Sequence, residues 1–324
     1  MNERLQFDQD HGRGGAPWFE GMLELRRRVR AALAEVIAAS AEQMALTTST
    51  TDGCNIVVSG LGLGPGDEVI TTNAEHPGLL LPLRVSGATV KVADVAGRPT
   101  EDALETLLAL VTPRTRLVAV SHVLWTTGQA IPVHELKQAS GLTILVDGAQ
   151  SAGAIPVDVG DIDYYTVSCQ KWLCGPDPSG ALYIRDVDAL RVAIPSYFTQ
   201  TSIEPDGAYV AREHAERFDA GWISPPYLAG LEAALAGAPS WRYEEAAEQA
   251  ARCREALAEH FEVVPGDATL VSFVPPDDPA AAALRLYERD VVVRNLPGTP
   301  WVRASCGWWT NEDDIDRLVA GAQL

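Results

Sequence analysis

The segment DIDYYTVSCQKWLCGPDPSG, residues 161–180, decides the fold of the chain. Residues 162–168 are β-branched or aromatic and carry no charge after Asp163, which predicts a short buried strand. The strand leads directly to Lys171 and a turn rich in glycine and proline. A lysine between a strand end and an apolar run has little contact with water, and desolvation favours the neutral amine used in Schiff-base chemistry. The alternative interpretation is a surface lysine on a loop, because most lysines are exposed.

Strands and helices alternate on the N-terminal side of this segment. The pattern predicts helices at Phe19–Ala39, Asp52–Gly60, Thr100–Leu110 and His134–Ser140, and strands at Met44–Thr47, Thr115–Ser121, Thr143–Val146, Tyr164–Ser168 and Gly180–Ile184. Such alternation favours a mostly parallel sheet with helices on both faces. Ligands of these sheets bind at the carboxyl ends of the strands.

The C-terminal part of the chain has a different pattern. Ser196–Arg217 has little periodicity and is predicted to be a long functional loop. Pro226–His260 is predicted to be helical with a break at Gly237–Pro239, and short strands and helices follow, among them a strand at Asp290–Arg294. We therefore expect a large domain over residues 18–225, a smaller α+β domain over residues 226–324, and an irregular N-terminal segment over residues 1–17.

Composition excludes several classes of partner. The net charge of −19 argues against nucleic acid and anionic membranes, because both would repel the protein. The five cysteines are scattered and form no CxxC motif, so neither a metal site nor a disulfide framework is expected, and the cytoplasm is the expected location. The N-terminus lacks an apolar signal core, and no apolar run reaches the ~18 residues of a membrane span.

Two polar clusters are candidates for binding a flat, phosphorylated ligand. Thr50 and Thr51 precede a predicted helix, where free N–H groups and the helix dipole suit a phosphate. They could instead form an ordinary helix cap, and Asp52 would repel a phosphate unless it caps the helix facing away. His122 ends a predicted strand, where an imidazole could stack on a planar ring or serve as a hydrogen-bonded structural residue.

A carboxylate and an amine complete this pattern. Asp147 closes an apolar strand, where a buried carboxylate needs a partner such as a protonated pyridine nitrogen, although a helix cap is the alternative. Lys171 follows the next strand, and together these groups meet the requirements of pyridoxal phosphate. Arg294 and Arg303 match carboxylates of a substrate, or form structural ion pairs.

These motifs together resemble the class V aminotransferase family of fold-type I pyridoxal phosphate enzymes, the cysteine desulfurase group, and within it the cystine and cysteine C–S lyases. The resemblance extends from about Leu23 to the C-terminus and rests on TTDGCNIVVSGL, GDEVITTNAEHPG, SHVLWTTGQ, VDGAQSAGAIPVD, DYYTVSCQKWLCGP and VRASCGWWTNEDDID. It implies a large domain with a mostly parallel mixed sheet, a small α+β C-terminal domain, pyridoxal 5′-phosphate as cofactor, and a homodimer with active sites at the subunit interface.

The resemblance also implies roles for individual residues. Lys171 would bind the cofactor covalently and move the substrate Cα proton, Asp147 would pair with the pyridinium nitrogen, and His122 would stack on the ring. The remaining expected cofactor ligands are Gln150 at the ring 3′-oxygen and Thr50, Thr51, Ser168, Gln170 and the partner subunit's Ser224 at the phosphate. Arg303 would bind the substrate carboxylate, with Arg294 nearby for a second acidic group.

Four departures from the family pattern affect the expected function. Gln170 stands where a phosphate-binding histidine is usual, Ser224 is the only residue that could replace a threonine ligand, and the N-terminal segment is short. The loop that carries the nucleophilic cysteine of desulfurases is also absent, and Cys306 falls in a predicted strand. A desulfurase needs a thiolate to accept sulfur.

The sequence therefore predicts β-elimination from cystine or a cysteine S-conjugate, which yields pyruvate, ammonia and a persulfide or thiol. A persulfide should leave faster than a simple thiolate, because sulfur of lower pKa is the better leaving group. Three alternatives remain at this stage. They are an aminotransferase or epimerase on the same fold, a cysteine desulfurase that uses Cys169 or Cys174, and a non-catalytic scaffold.

Overall fold

The computed structural model describes residues 1–324 and is built around a mixed seven-stranded sheet. Its strands are β1 (Met44–Thr47), β2 (Glu68–Thr72), β3 (Thr89–Ala93), β4 (Thr115–Ser121), β5 (Thr143–Asp147), β6 (Tyr164–Ser168) and β7 (Gly180–Ile184). Their spatial order is β1-β7-β6-β5-β4-β2-β3. Only β7 runs in the direction opposite to the other six strands, so the predicted mostly parallel sheet is confirmed.

Both faces of this sheet are buried, because successive side chains of each strand point to opposite faces. Along β4, Val118 and Val120 join the core on one face, whereas Leu117 and Ala119 join the core on the other. The strands therefore read as continuous apolar runs, as is typical of parallel sheets covered on both sides.

Ten α-helices surround the sheets: α1 (Asn2–His11), α2 (Ala16–Val36), α3 (Thr50–Leu61), α4 (Pro77–Val85), α5 (Asp102–Leu108), α6 (Val133–Ser140), α7 (Pro225–Gly237), α8 (Arg242–Ala258), α9 (Pro279–Tyr287) and α10 (Glu312–Ala322). Helices α2, α5, α6 and α7 cover one face of the main sheet, and α3 and α4 cover the other. The predicted helix break at Gly237–Pro239 is confirmed by the end of α7 and the start of α8.

A second, antiparallel sheet follows in the C-terminal part of the chain. It consists of β10 (Glu262–Val263), β11 (Leu270–Val274), β12 (Arg294–Asn295) and β13 (Val302–Ser305), in the order β10-β11-β13-β12. Side chains from α8, α9 and α10 pack against it and form a separate core. The strand predicted at Asp290–Arg294 is wrong in position, because Val291 and Val293 pack against this core outside any strand and pairing starts only at Arg294.

The N-terminal segment differs from the irregular structure expected for residues 1–17. Helix α1 is mostly polar, so the sequence gives no apolar periodicity to identify it. A tertiary contact holds it in place, since the Asp8 carboxylate accepts hydrogen bonds from Trp18 Nε1 at 3.0 Å and from Arg4 Nε at 3.1 Å. Asp8 is buried despite its charge.

The region predicted to be a long loop, Ser196–Arg217, contains a hairpin of β8 (Gln200–Ile203) and β9 (Tyr209–Ala211) flanked by two short 3₁₀ turns. Its strands are almost entirely exposed, so the apolar alternation that identifies a half-buried strand is missing. None of the helices has both the length and the apolar character required to cross a membrane.

Candidate active site

A cleft of about 410 Å³ lies between the two sheets, at the carboxyl ends of the main-sheet strands. The main sheet and its loops contribute Ser49, Thr50, Thr51, His76, Trp125, Gln150, Ser168, Gln170, Lys171 and Trp172 to its lining, and the second sheet contributes Arg294, Arg303, Ser305 and Trp309. A larger depression of about 570 Å³ lies beside Arg26 and Arg30. Those two arginines already pair with Asp219, so the smaller cleft is the candidate site.

Lys171 lies at one wall of this cleft and makes no ion pair with any carboxylate of the chain. Burial lowers the pKa of its ammonium group, the positive charges of Arg303 and Arg294 lower it further, and the negative charge of Asp147 acts in the opposite direction. A lysine with a lowered pKa supplies more of the neutral amine that acts as a nucleophile or base.

Asp147 ends β5, next to the strand that leads to Lys171. Its side chain is buried, and Oδ1 accepts hydrogen bonds from Ala149 N at 2.9 Å and Thr166 Oγ1 at 3.4 Å. Oδ2 accepts no hydrogen bond within the chain and remains free for an N–H donor. Burial raises the pKa of Asp147, whereas the nearby positive charge of Lys171 lowers it.

The N-terminus of α3 forms the opposite end of the cleft. The Asp52 carboxylate turns back to accept hydrogen bonds from the backbone N–H of Thr48, at 3.1 Å, and from its hydroxyl. The carboxylate therefore bonds to the residue before the cap, while the cap itself is Ser49, whose Oγ accepts a hydrogen bond from Asp52 N at 3.2 Å. The N–H groups of Thr50 and Thr51 are in the first helical turn, where no intrahelical acceptor exists, so they are available to a phosphate.

Ser168 and Gln170 lie beside this helix terminus. Ser168 Oγ donates to Gln170 Oε1 at 3.0 Å, which occupies the amide oxygen and leaves the amide nitrogen of Gln170 as a donor. Gln150 is oriented in the same way, because its Oε1 accepts a hydrogen bond from Trp172 Nε1 at 3.0 Å. Both glutamines thus present N–H groups, which suit an anionic or phenolic oxygen.

The structure does not bring His122 into the cleft lining. Its ring is largely enclosed, Nδ1 lies 3.0 Å from Tyr165 Oη, and burial lowers its pKa to about 4. His76, which follows β2, lines the cleft instead, and its Nδ1 accepts a hydrogen bond from Gly78 N at 3.1 Å. His76 is therefore the imidazole that lines the cleft, and the role expected of His122 at the cofactor ring remains a prediction.

Arg294 and Arg303 approach the cleft from the second sheet, where they are directly paired across β12 and β13. Neither forms a salt bridge, although acidic residues outnumber basic residues 44 to 25 in the chain. Arg303 donates a hydrogen bond from Nη1 to the carbonyl of Trp125. Burial, together with the charge of Arg294, lowers the pKa of Arg303 to about 10. The structural ion pairs considered for these arginines are thus absent.

Ser224 does not line the cleft of its own chain. It is the N-cap residue of α7, directly before Pro225, and makes no side-chain capping hydrogen bond. Its expected role at the phosphate of a partner subunit remains a prediction.

Residues 20–285 match the family model described as Aminotransferase class-V. The chain belongs to the class V aminotransferase family. Isopenicillin N epimerase of Streptomyces clavuligerus is 28% identical over 90% of this chain and 82% of its own length. A cysteine desulfurase of Pectobacterium atrosepticum is 30% identical over 88% of this chain and 78% of its own length.

Two solved structures are similar over nearly the whole chain. The cystine C–S lyase C-DES, in complex with its reaction product cysteine persulfide, has a TM-score of 0.90 and 29% identity, covering 99% of this chain and 92% of that one. A C-DES variant with glycine covalently linked to its pyridoxal phosphate cofactor has the same TM-score. The expected fold-type I fold and the expected cofactor, pyridoxal 5′-phosphate, are confirmed.

The residues of the cleft fit this cofactor. The free Oδ2 of Asp147 suits the protonated pyridine nitrogen, the α3 N-terminus suits the phosphate, and the unpaired Lys171 amine suits the aldehyde carbon. Gly78 packs tightly against the N-terminus of α3, because a Cβ at this position would lie 2.4 Å from Thr51 Oγ1.

Sequence reasoning missed His76, although a signal for it was present. His76 follows the strand in GDEVITTNAEHPG just as His122 follows the strand before SHVLW, and strand-end position alone does not separate the two. What distinguishes His122 is its contact with Tyr165 on β6, whose hydroxyl lies 3.0 Å from His122 Nδ1 and whose ring meets the imidazole edge to face. Ser305 and Trp309 were also missed as lining residues, because their placement depends on how the two sheets meet.

Glu75 is a second buried carboxylate in this region. It accepts hydrogen bonds from Thr72 Oγ1 at 2.7 Å and from both the backbone N and the hydroxyl of Ser121, at 3.0 Å and 2.6 Å to Oε2. Burial nevertheless raises its pKa to about 7. These bonds tie the end of β2 to the end of β4 immediately before His76.

The raised pKa of Glu75 makes stability depend on pH. The native state retains a proton that the unfolded state releases above its ordinary pKa of 4.5, so the stabilisation is complete below that value and is lost as pH rises through about 7. From pH 4.5 to pH 8, the free energy of unfolding should fall by up to about 3 kcal/mol more in the wild type than in Glu75→Gln. Equilibrium urea unfolding at both pH values measures this difference, and parallel pH profiles for the two proteins would contradict it.

The close contact at Gly78 predicts a loss of cofactor affinity on substitution. Gly78→Ala would push its Cβ against Thr51 Oγ1 and displace the first turn of α3. We expect the Kd for pyridoxal phosphate, measured by absorbance titration, to rise at least about tenfold, equivalent to about 1.4 kcal/mol. Gly64→Ala is the matched control, because a Cβ there meets nothing within 4 Å. An equal loss of cofactor affinity in both variants would show that the packing of Gly78 against Thr51 is not needed for binding.

Proposed function

We propose that this class V aminotransferase is a C–S lyase that catalyses β-elimination from cystine or a related cysteine S-conjugate. The observation that carries the proposal is the absence of any cysteine among the residues that line the cleft. A desulfurase needs a thiolate close to the departing sulfur, and none of the side chains here can supply one. Without an acceptor, the sulfur leaves with its substituent as a persulfide or thiol.

The two cysteines considered as alternative nucleophiles are poorly suited to that role. Cys169 is fully enclosed, and burial raises the pKa of its thiol to about 12. Cys174 is exposed but outside the cleft lining, and partial burial of its thiol raises its pKa as well. The pKa of the Cys306 thiol is raised by its hydrogen bond with the Cys253 thiol and by burial, so ionisation of Cys306 is disfavoured.

Pyridoxal phosphate, when bound, supplies an electron sink for the negative charge left at Cα of the substrate. Lys171 provides the amine that takes the Cα proton, and its lowered pKa keeps part of it neutral. Asp147 would pair with the protonated pyridine nitrogen through its free Oδ2, and His76, which lines the cleft, would be the nearby imidazole. Arg303 binds the α-carboxylate and so orients the substrate toward Lys171.

The proposed elimination consumes only the substrate and water. The Cα–H and Cβ–S bonds of cystine break, the sulfur departs as cysteine persulfide, and hydrolysis of the remaining three-carbon fragment gives pyruvate and ammonia. Arg294 lies directly across the strand pair from Arg303, which supports binding of a substrate with a second carboxylate such as cystine.

An epimerase is the second candidate, supported by the 28% identity to isopenicillin N epimerase over most of both chains. Both reactions begin with removal of the Cα proton by a base. They differ in whether that proton returns to Cα or a β-substituent leaves. Release of ammonia therefore separates the two.

We further propose a homodimer located in the cytoplasm, with residues 18–225 and 226–324 as its large and small domains. Large apolar side chains are exposed on and around the β8–β9 hairpin, among them Tyr197, Ile203, Tyr209, Val210 and Trp222. Such a patch supports burial against a second subunit. Ser224 lies beside this patch and would reach the phosphate of the partner's site.

A product assay tests the reaction. Holoenzyme incubated with cystine should form pyruvate and ammonia in equal amounts, and Lys171→Ala should lose at least about 10³-fold in rate because the proton-transfer group is gone. Lys91→Ala is the control, since Lys91 pairs with Glu68 on the sheet away from the cleft. Alanine as product would indicate a desulfurase, and an inverted amino acid without ammonia would indicate an epimerase.

Cysteine substitutions test the absence of a sulfur acceptor. Cys174→Ser removes the only exposed thiol, and because no step requires this thiol, the rate of pyruvate formation from cystine should change by less than about twofold. A desulfurase that uses Cys174 would instead lose nearly all turnover, which cysteine consumption and alanine formation would report.

A further inference from the structure

The segment that follows β4 joins the main sheet to the second sheet. The carbonyl of Thr126 accepts a hydrogen bond from Ser272 Oγ at 2.6 Å, and the carbonyl of Gly128 accepts one from Ala268 N at 2.9 Å. Ala130 N donates to Asp267 Oδ1 at 2.7 Å. These bonds fix the backbone on the C-terminal side of Trp125 against the sheet that carries both cleft arginines.

Trp125 is placed between the groups that would contact cofactor and substrate. Its ring meets the ring of His76 edge to face, with centroids 5.4 Å apart and an interplanar angle of 85°. The guanidinium carbon of Arg294 lies 5.7 Å from the centroid of the Trp125 ring. The Trp125 carbonyl accepts the hydrogen bond from Arg303.

The two arginines are held in different ways. Arg303 is bound by a backbone carbonyl, a contact that persists whatever side chain stands at position 125. The Arg294 side chain is exposed and makes no salt bridge or hydrogen bond within the chain, so its cation–π contact with the Trp125 ring is the interaction that orients its guanidinium group. A cation above an indole face is attracted to the negative side of the ring quadrupole.

We propose that Trp125 is a positioning residue that sets substrate specificity by holding Arg294 over its ring, where it receives a second carboxylate at the far end of the substrate. The proposal rests on the proposed function for the identity of the substrate class. The α-carboxylate site at Arg303 should survive loss of the indole, whereas the second site should not. Trp125 therefore governs preference between dicarboxylic and monocarboxylic amino acids.

The test uses two ligands that cannot undergo C–S cleavage. One is 2,7-diaminosuberate, in which carbon replaces both sulfur atoms of cystine, and the other is 2-aminooctanoate, which has the same carbon chain but lacks the second carboxylate and amine. Calorimetric titration of holoenzyme gives the ratio of their affinities. The wild type should favour the dicarboxylate.

Substitution of Trp125 should reduce this ratio. Trp125→Met keeps an apolar side chain without an aromatic face and should lower the ratio about fivefold to tenfold, and Trp125→Phe, which keeps a face, should restore most of it. Arg294→Met should lower the ratio similarly, and the double variant with Trp125→Met should lower it no further. Cofactor absorbance checks each holoenzyme, and Trp125→Leu replaces the methionine variant if that one fails to retain pyridoxal phosphate.

Three results would overturn the inference: no preference for the dicarboxylate in the wild type, an unchanged ratio in Trp125→Met, or fully additive losses in the double variant. A general structural role would weaken binding of both ligands equally and leave the ratio unchanged. Because neither ligand has a C–S bond, the outcome is independent of the reaction. Failure to form pyruvate from cystine with the affinity ratio intact would refute the lyase and leave the role of Trp125 standing.

Discussion

The site depends on two opposite charges brought close together where water is scarce. Asp147 ends β5, and Lys171 follows the neighbouring parallel strand β6. Burial raises the pKa of Asp147 and lowers that of Lys171, while each opposes the shift of the other through its charge. The pairing register fixes this arrangement. It leaves no room for a side chain at Gly148, where a Cβ would lie 2.2 Å from the Tyr165 ring.

The same burial decides which sulfur chemistry the protein can support. Four of the five thiols are buried, and for Cys169 burial raises the pKa to about 12. A thiolate is needed both to attack and to accept sulfur, and enclosure in the core keeps these four cysteines out of the cleft. The lysine is enclosed as well, but its neutral form is the reactive one. In the proposed reaction, desolvation would therefore favour proton removal by Lys171 and disfavour sulfur transfer to a cysteine.

The sequence was sufficient to predict the main sheet and several cleft residues because the signals are local. Lys171, Asp147 and Thr51 each follow a strand in the sequence, and parallel strands bring such positions to one edge. His122 satisfied the same rule, yet its contact with Tyr165, 43 residues later, turns it away from the cleft. Helix α1 and the β8–β9 hairpin lack apolar periodicity, so local patterns could not identify them.

The paired arginines are the least expected feature of so acidic a protein. Like charges directly opposite each other destabilise a strand pair, and the pKa of Arg303 is lowered mainly by burial and further by the positive charge of Arg294. No carboxylate of the chain relieves it, although many other arginines are paired, as Arg26 and Arg30 are with Asp219. A bound carboxylate would remove the repulsion. Relief of this repulsion would therefore add to the binding free energy of the proposed dicarboxylic substrate, because such a ligand brings negative charge to both arginines.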